Sequence, residues 1–142
     1  MRGVLAAILT AAAIAPRPAA SADPPAKPCR EHPSLVGACF SVRGRMRLYN
    51  GTPTVRIWPV GTRRLLLVSE IRFRREGYAN LPEELSRPLS WSSDLFADFE
   101  VCPFTLPEPG AGQLVCVDSA RSVSTRKRDG SVVGTVESSR AR

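Results

Sequence analysis

Four cysteines, a single histidine, three closely spaced acids and a set of alternating arginines are the residues of this chain that could do chemistry. Cys29, Cys39, Cys102 and Cys116 could be metal ligands, nucleophiles or disulfides. Structural zinc sites use tight Cys-x-x-Cys pairs. None is present, although Cys29, His32 and Cys39 lie close together. The chain opens with an export signal, and an even number of cysteines in an exported protein reads as disulfides. Three connectivities are possible. The local pairing, Cys29–Cys39 with Cys102–Cys116, is favoured, because the turn-rich segment 103–112 would let Cys102 and Cys116 face each other across a hairpin. Neither a metal nor a cofactor is expected.

Asp94, Asp98 and Glu100 could act as a carboxylate pair in glycoside hydrolysis or hold calcium. Their setting, DLFADFE over 94–100, interleaves acids with apolar residues. That is the pattern of a solvated face over a core. His32 sits in a proline-flanked segment beside Cys29, where a loop role is expected. The chain has no Gly-x-Ser-x-Gly elbow, no His-Glu-x-x-His and no phosphate loop. No catalytic residue is nominated, and the reading leans away from an enzyme.

The arginines carry more geometry. With a four-residue loop at 50–53, Arg47 stands opposite Arg56 and Arg45 opposite Trp58, with Tyr49 opposite Thr54. Leu48 with Val55 and Met46 with Ile57 fall on the other face, because strand side chains alternate with period two. One face is thus apolar and the other is basic and aromatic. Like charges directly opposite across strands repel, so Arg47 and Arg56 require compensation. An internal acid, Glu70, Asp98 or Glu100, would supply it as a salt-bridge network. Alternatively, Arg45, Arg47, Tyr49, Arg56 and Trp58 form a face that grips an anion by guanidinium forks and aromatic stacking. Arginine counts alone carry little weight, since the chain has 18 Arg and 2 Lys, a skew typical of GC-rich coding.

These residues must be positioned by a small domain. Residues 1–22 combine Arg2, an uncharged apolar run at 4–15 and a terminal Ala20-Ser21-Ala22, the form of a cleaved secretory signal. No stretch approaches the roughly 20 apolar residues needed to span a bilayer, so the expected location is the periplasm or the medium. Residues 23–38 form a Pro-rich N-terminal segment and 39–120 a β-domain. Residues 121–142 make a basic tail, with a hairpin at Asp129-Gly130 and disorder beyond. The formal charge is +7. Most of it lies in that tail, which reads first as a solvated, disordered end and second as a weak attraction to a polyanion or an anionic envelope component.

Strands are expected at 39–49, 54–60, 63–74, 99–104 and 113–119, with Asn50-Gly51-Thr52-Pro53 as the first turn. A short helix starting at Pro82 falls between the third and fourth strands. This order predicts a mostly β fold: a small five- to six-stranded antiparallel barrel, OB-like with Greek-key connections, or a small β-sandwich.

The block GRMRLYNGTPTVRIWPVGTRR at 44–64, with DFEVCP at 98–103 and VCV at 115–117, resembles sequence found in a group of small exported proteins of Gram-negative bacteria. The resemblance implies bacterial export and a single domain. That group has no assigned activity, so it brings no site residues. Three functions follow from the sequence: a disulfide-stapled binding domain, an envelope-associated structural protein touching anionic surfaces through its tail, and a small carboxylate-dependent hydrolase.

Overall fold

The computed structural model describes residues 24–69 and 77–136, with side chains to 131. Residues 1–22, expected from the sequence to be an export signal, Glu70 and residues 137–142 lie outside the described residues. Six strands are formed: β1 (Phe40–Leu48), β2 (Val55–Pro59), β3 (Leu66–Val68), β4 (Ser93–Pro103), β5 (Gln113–Lys127) and β6 (Val132–Val136). They hydrogen-bond in the order β3-β2-β1-β4-β5-β6, and β3 also pairs with β5. The last pairing closes β1 to β5 into a ring and leaves β6 as an addition on the far half of β5.

The ring is mixed rather than antiparallel. β3 and β5 run parallel, with Leu66 beside Gln113 and Val68 beside Val115. This corrects the antiparallel expectation. The long connection after β3 brings the chain back through β4, so that β5 returns in the direction of β3. Helix is almost absent between β3 and β4, where the described chain makes a single four-residue turn, Glu83–Ser86.

Inward positions of the ring strands fill the interior. Met46, Ile57, Leu66, Val68, Leu95, Phe99, Val101, Val115 and Val117 are fully buried, and Leu85 of the helical turn joins them. β1 and β2 pair with Met46 opposite Ile57 and Leu48 opposite Val55, the register a four-residue loop imposes. Gly51 in that loop has a φ of 97°, a conformation that glycine adopts without strain.

A small residue lets the neighbours of β1 approach closely at Gly44. Gly44 lies between Pro59 of β2 and Ala97 of β4. A Cβ there would stand 2.8 Å from Ile57 Cγ2 and 3.1 Å from the Trp58 carbonyl oxygen. Neither neighbour yields easily, because one is packed in the core and the other is backbone. Gly44→Val is therefore expected to cost about 2–3 kcal/mol through overpacking, read as a lower denaturant midpoint at unchanged m.

β5 is longer than the sequence indicated, and it crosses the expected domain boundary at 120. Two register shifts against β4 explain why. Buried positions run Val115, Val117, Ala120, Val123, Thr125, so the strand twice advances by three residues instead of two. Ser122 sits in one irregularity with a φ of 53°, and Asp118 is the extra residue in the other. Residues 121–127 are thus the second half of a strand, and the turn at Asp129-Gly130 leads into β6. β4 is likewise longer, starting at Ser93 rather than 99.

Both predicted disulfides are corrected. The bonds are Cys29–Cys116 and Cys39–Cys102. Cys102 and Cys116 do face each other across the β4–β5 hairpin, but each is bonded elsewhere. β4 lies between β1 and β5, and Cys39 stands one step beyond the Phe40–Val101 pair, beside Cys102. Cys116 receives Cys29 from a 3-10 turn, Cys29–Glu31, which lies over this end of the hairpin. The bulge at Asp118 holds the same turn, accepting from the Arg30 backbone N–H at 3.0 Å and from Arg30 Nε at 2.7 Å.

Candidate functional site

The outer face of β1 and β2 carries the arginines and aromatics the sequence singled out. Arg45 stands opposite Trp58 and Arg47 opposite Arg56. The like-charge pair is resolved by divergence. Arg47 turns toward β4 and makes a two-pronged ion pair with Asp94, its Nε donating to Oδ1 at 2.6 Å and its Nη2 donating to Oδ2. Arg128 adds its charge, with Nε 3.6 Å from Asp94 Oδ1. Arg56 turns the other way, donating from Nε to the Pro53 carbonyl at 3.2 Å and stacking over the Tyr49 ring at 5.0 Å. Trp58 Nε1 donates to the Tyr49 hydroxyl at 2.8 Å.

An internal acid therefore compensates Arg47, and that acid is Asp94 rather than Asp98 or Glu100. The interleaving of acids and apolar residues over 94–100 predicts a solvated Asp94. Its side chain is only 8% exposed. Burial pushes its carboxyl up, and the hydrogen bonds and charge of Arg47, with Arg45 and Arg128 behind it, more than reverse this and hold it below the ordinary carboxylate value. The same pair raises the Arg47 guanidinium. Nothing in one sequence marked this contact, because it depends on β1 lying beside β4 in one register.

The other acids are also committed. Asp98 accepts from Arg43 at 3.1 Å, and Glu100 from the Ser41 hydroxyl at 2.5 Å. Asp94, Asp98 and Glu100 thus line up along the outer face of β4, each with its own partner, and none lines either of the two clefts described below. His32 is buried between the rings of Tyr78 and Phe104, with Nδ1 accepting the Ser34 N–H at 3.1 Å. Sulfurs of Cys29, Cys102 and Cys116 lie within 4.8 Å of one another, but all four cysteines are in disulfides.

Among the described residues, Arg45, Arg56 and Arg63 have no carboxylate partner within ion-pair distance. Arg45 Nε is buried and without a hydrogen-bond partner. Beside it, Trp58 forms one wall of a cleft of ≈ 530 Å³ between the β2–β3 connection and the β4–β5 connection. Arg63, Arg64 and Glu108 line it, and the turn at 109–112 closes its far side. Arg64 Nη2 donates to Gln113 Oε1 at 2.6 Å, which fixes that guanidinium at the cleft edge. Gly112 is where the turn returns to β5. A Cβ there would come within 2.7 Å of the Leu67 side chain.

Trp58 is legible in the sequence but this cleft is not, since Arg63 and Arg64 read as the start of a strand and 103–112 as a plain turn. Comparison with protein-family models, with curated proteins and with solved structures gave no match. Among the described residues no helix is long and apolar enough to cross a membrane.

Proposed function

We propose that this protein is a non-enzymatic binding domain of the bacterial periplasm or envelope, built on an OB-type barrel, whose ligand is an anionic chain molecule. Trp58 carries the reading. It belongs both to the basic face, opposite Arg45, and to the wall of the cleft that holds Arg63 and Arg64. Two guanidiniums against one carboxylate, Glu108, give that cleft a net positive lining. A cleft of this size falls within the usual range for ligand sites.

The ring order β1-β2-β3-β5-β4, with β3 parallel to β5, supports the OB assignment. In such folds the loops after strands 1 and 4 border the face that binds oligonucleotides and oligosaccharides. Here the connection after β4 forms the cleft. Fold alone does not assign a ligand. Charge and the half-buried Trp58 ring at the cleft wall point to a sulfated, phosphorylated or uronic chain, held by guanidinium contacts and stacking.

Trp58 and Trp91 are the two tryptophans of the chain. In a Trp91→Phe background, Trp58 fluorescence is expected to change on titration with a sulfated polysaccharide such as heparin. Arg63→Glu should weaken that binding by about tenfold at low salt, with a smaller loss as salt screens the charge. Binding left intact by Arg63→Glu and by Trp58→Ala would overturn this site. Arg47 is excluded from the test, because its loss would strand Asp94.

A further inference from the structure

A second cleft, of ≈ 270 Å³, lies next to the first. Arg64, Pro107 and Gln113 line both. The chemistry of the two differs. The second is walled by Val36, Phe40, Pro103 and Leu106, and no acid lines it. Val36 is 48% exposed and Leu106 70%. Two of the large apolar side chains left in water on this molecule therefore border one hollow, which is more than scattered surface apolarity. The Arg64 guanidinium lies 5.5 Å from the Phe40 ring centre. Its hydrogen bond to Gln113, which in turn donates to the Thr105 carbonyl at 2.9 Å, keeps it at the junction.

We infer that the two clefts are the halves of one site for an anionic amphiphile. The acidic headgroup sits between Arg63 and Arg64, and an unbranched apolar chain runs past Pro107 into the Val36–Phe40–Leu106 hollow. This rests on the reading of the first cleft as an anion site and adds a second class of anionic ligand to it. Charge complementarity selects the occupant: among the described residues the one charged side chain lining the apolar hollow is Arg64, a cation that also faces the neighbouring cleft, so a chain there leaves its anionic end beside Arg64. The hollow has room for up to about nine groups of water size, which fits an alkyl chain and is too small for a protein element.

Alkyl sulfates from butyl to decyl, kept below their micellar concentrations, test this with Trp58 fluorescence in the Trp91→Phe protein. Each buried methylene should raise affinity roughly fourfold, and the rise should level off once the hollow is full. Leu106→Asn should flatten the chain-length dependence and weaken octyl sulfate by about tenfold, while adding no charge beside Arg64 and leaving heparin binding unchanged. Val36→Asn is the second variant and should do the same; both positions are exposed, and a thermal melt confirms folding. Affinity independent of chain length, with heparin binding intact, overturns the amphiphile alone. Chain-length dependence that survives both asparagines also overturns it, since the chain would then lie elsewhere. Failure of every sulfate, heparin included, overturns the anion site beneath it.

Discussion

Replacing Cys29 and Cys116 together by alanine is expected to lower the stability of the folded protein by about 3–4 kcal/mol, because Cys39–Cys102 stays closed and the loop opened is only the roughly 25 residues of 29–39 and 102–116 joined through that bond. The bond joins residues 87 apart in sequence, and its companion joins residues 63 apart. A domain of this size has a net stability of roughly 5–15 kcal/mol, so the loss is a large share of the whole. The variant must remove both partners. With Cys29 alone replaced, the Cys116 sulfur would become a thiol within 4.8 Å of Cys102, close enough to attack the remaining disulfide, and the measured loss would mix bond removal with rearrangement. Equilibrium denaturation gives the magnitude. Peptide mapping without reduction checks the connectivity, which should show Cys29 linked to Cys116 and Cys39 to Cys102. Peptides linking Cys29 to Cys39 would contradict the arrangement of β1, β4 and β5 around these cysteines.

Those same cysteines show where sequence reasoning stops. Alternation over 39–60 marked the two faces of β1 and β2, and the register followed residue by residue only with the turn taken as the four residues 50–53, the length the hairpin has. Local pattern determines a hairpin, because turn length sets its register. It does not determine which strand lies beside the hairpin. Cys39 meets Cys102, and Arg47 meets Asp94, only because β4 packs against β1 with Gly44 beside Ala97. Irregularity hid a second class of fact. β5 advances by three residues at Val117–Ala120 and again at Ala120–Val123, so its apolar residues lose the period of two that marks a strand. The candidate site inherits both gaps. Trp58 and Arg45 were legible as one face of a hairpin. The cleft beside them needed the parallel closure of β3 onto β5, which brings the β2–β3 connection against the 107–112 turn.

Asp94→Ala is the second large perturbation, and its effect follows from what it leaves behind. Arg47 is 25% exposed in the folded protein. Without Asp94 it would be a largely desolvated cation opposite Arg56 and beside Arg45, with Arg128 also turned toward the vacated position. Breaking a buried pair by removing one partner costs about 3–5 kcal/mol, and the partial exposure of Arg47 brings the expectation to about 2–4 kcal/mol. For a domain of this length that is a fall of roughly 8–16 °C in melting temperature. The double variant Arg47→Met with Asp94→Leu separates the stranded charge from the pair itself. It should be markedly more stable than Asp94→Ala, because apolar packing can replace a buried pair at little net loss. Acid gives an independent readout. The Asp94 carboxyl titrates below its ordinary value of 3.8 when folded, so the unfolded chain takes up this proton first as the pH falls. The stabilisation is complete above the unfolded value and is lost as the pH drops from about 4 through the lower folded one. Asp94→Asn should therefore be less stable than the parent at pH 7, with the difference shrinking below pH 4. A difference that stays constant down to pH 2 would mean that the charge of Asp94, as distinct from its shape and hydrogen bonds, does not hold Arg47 in place.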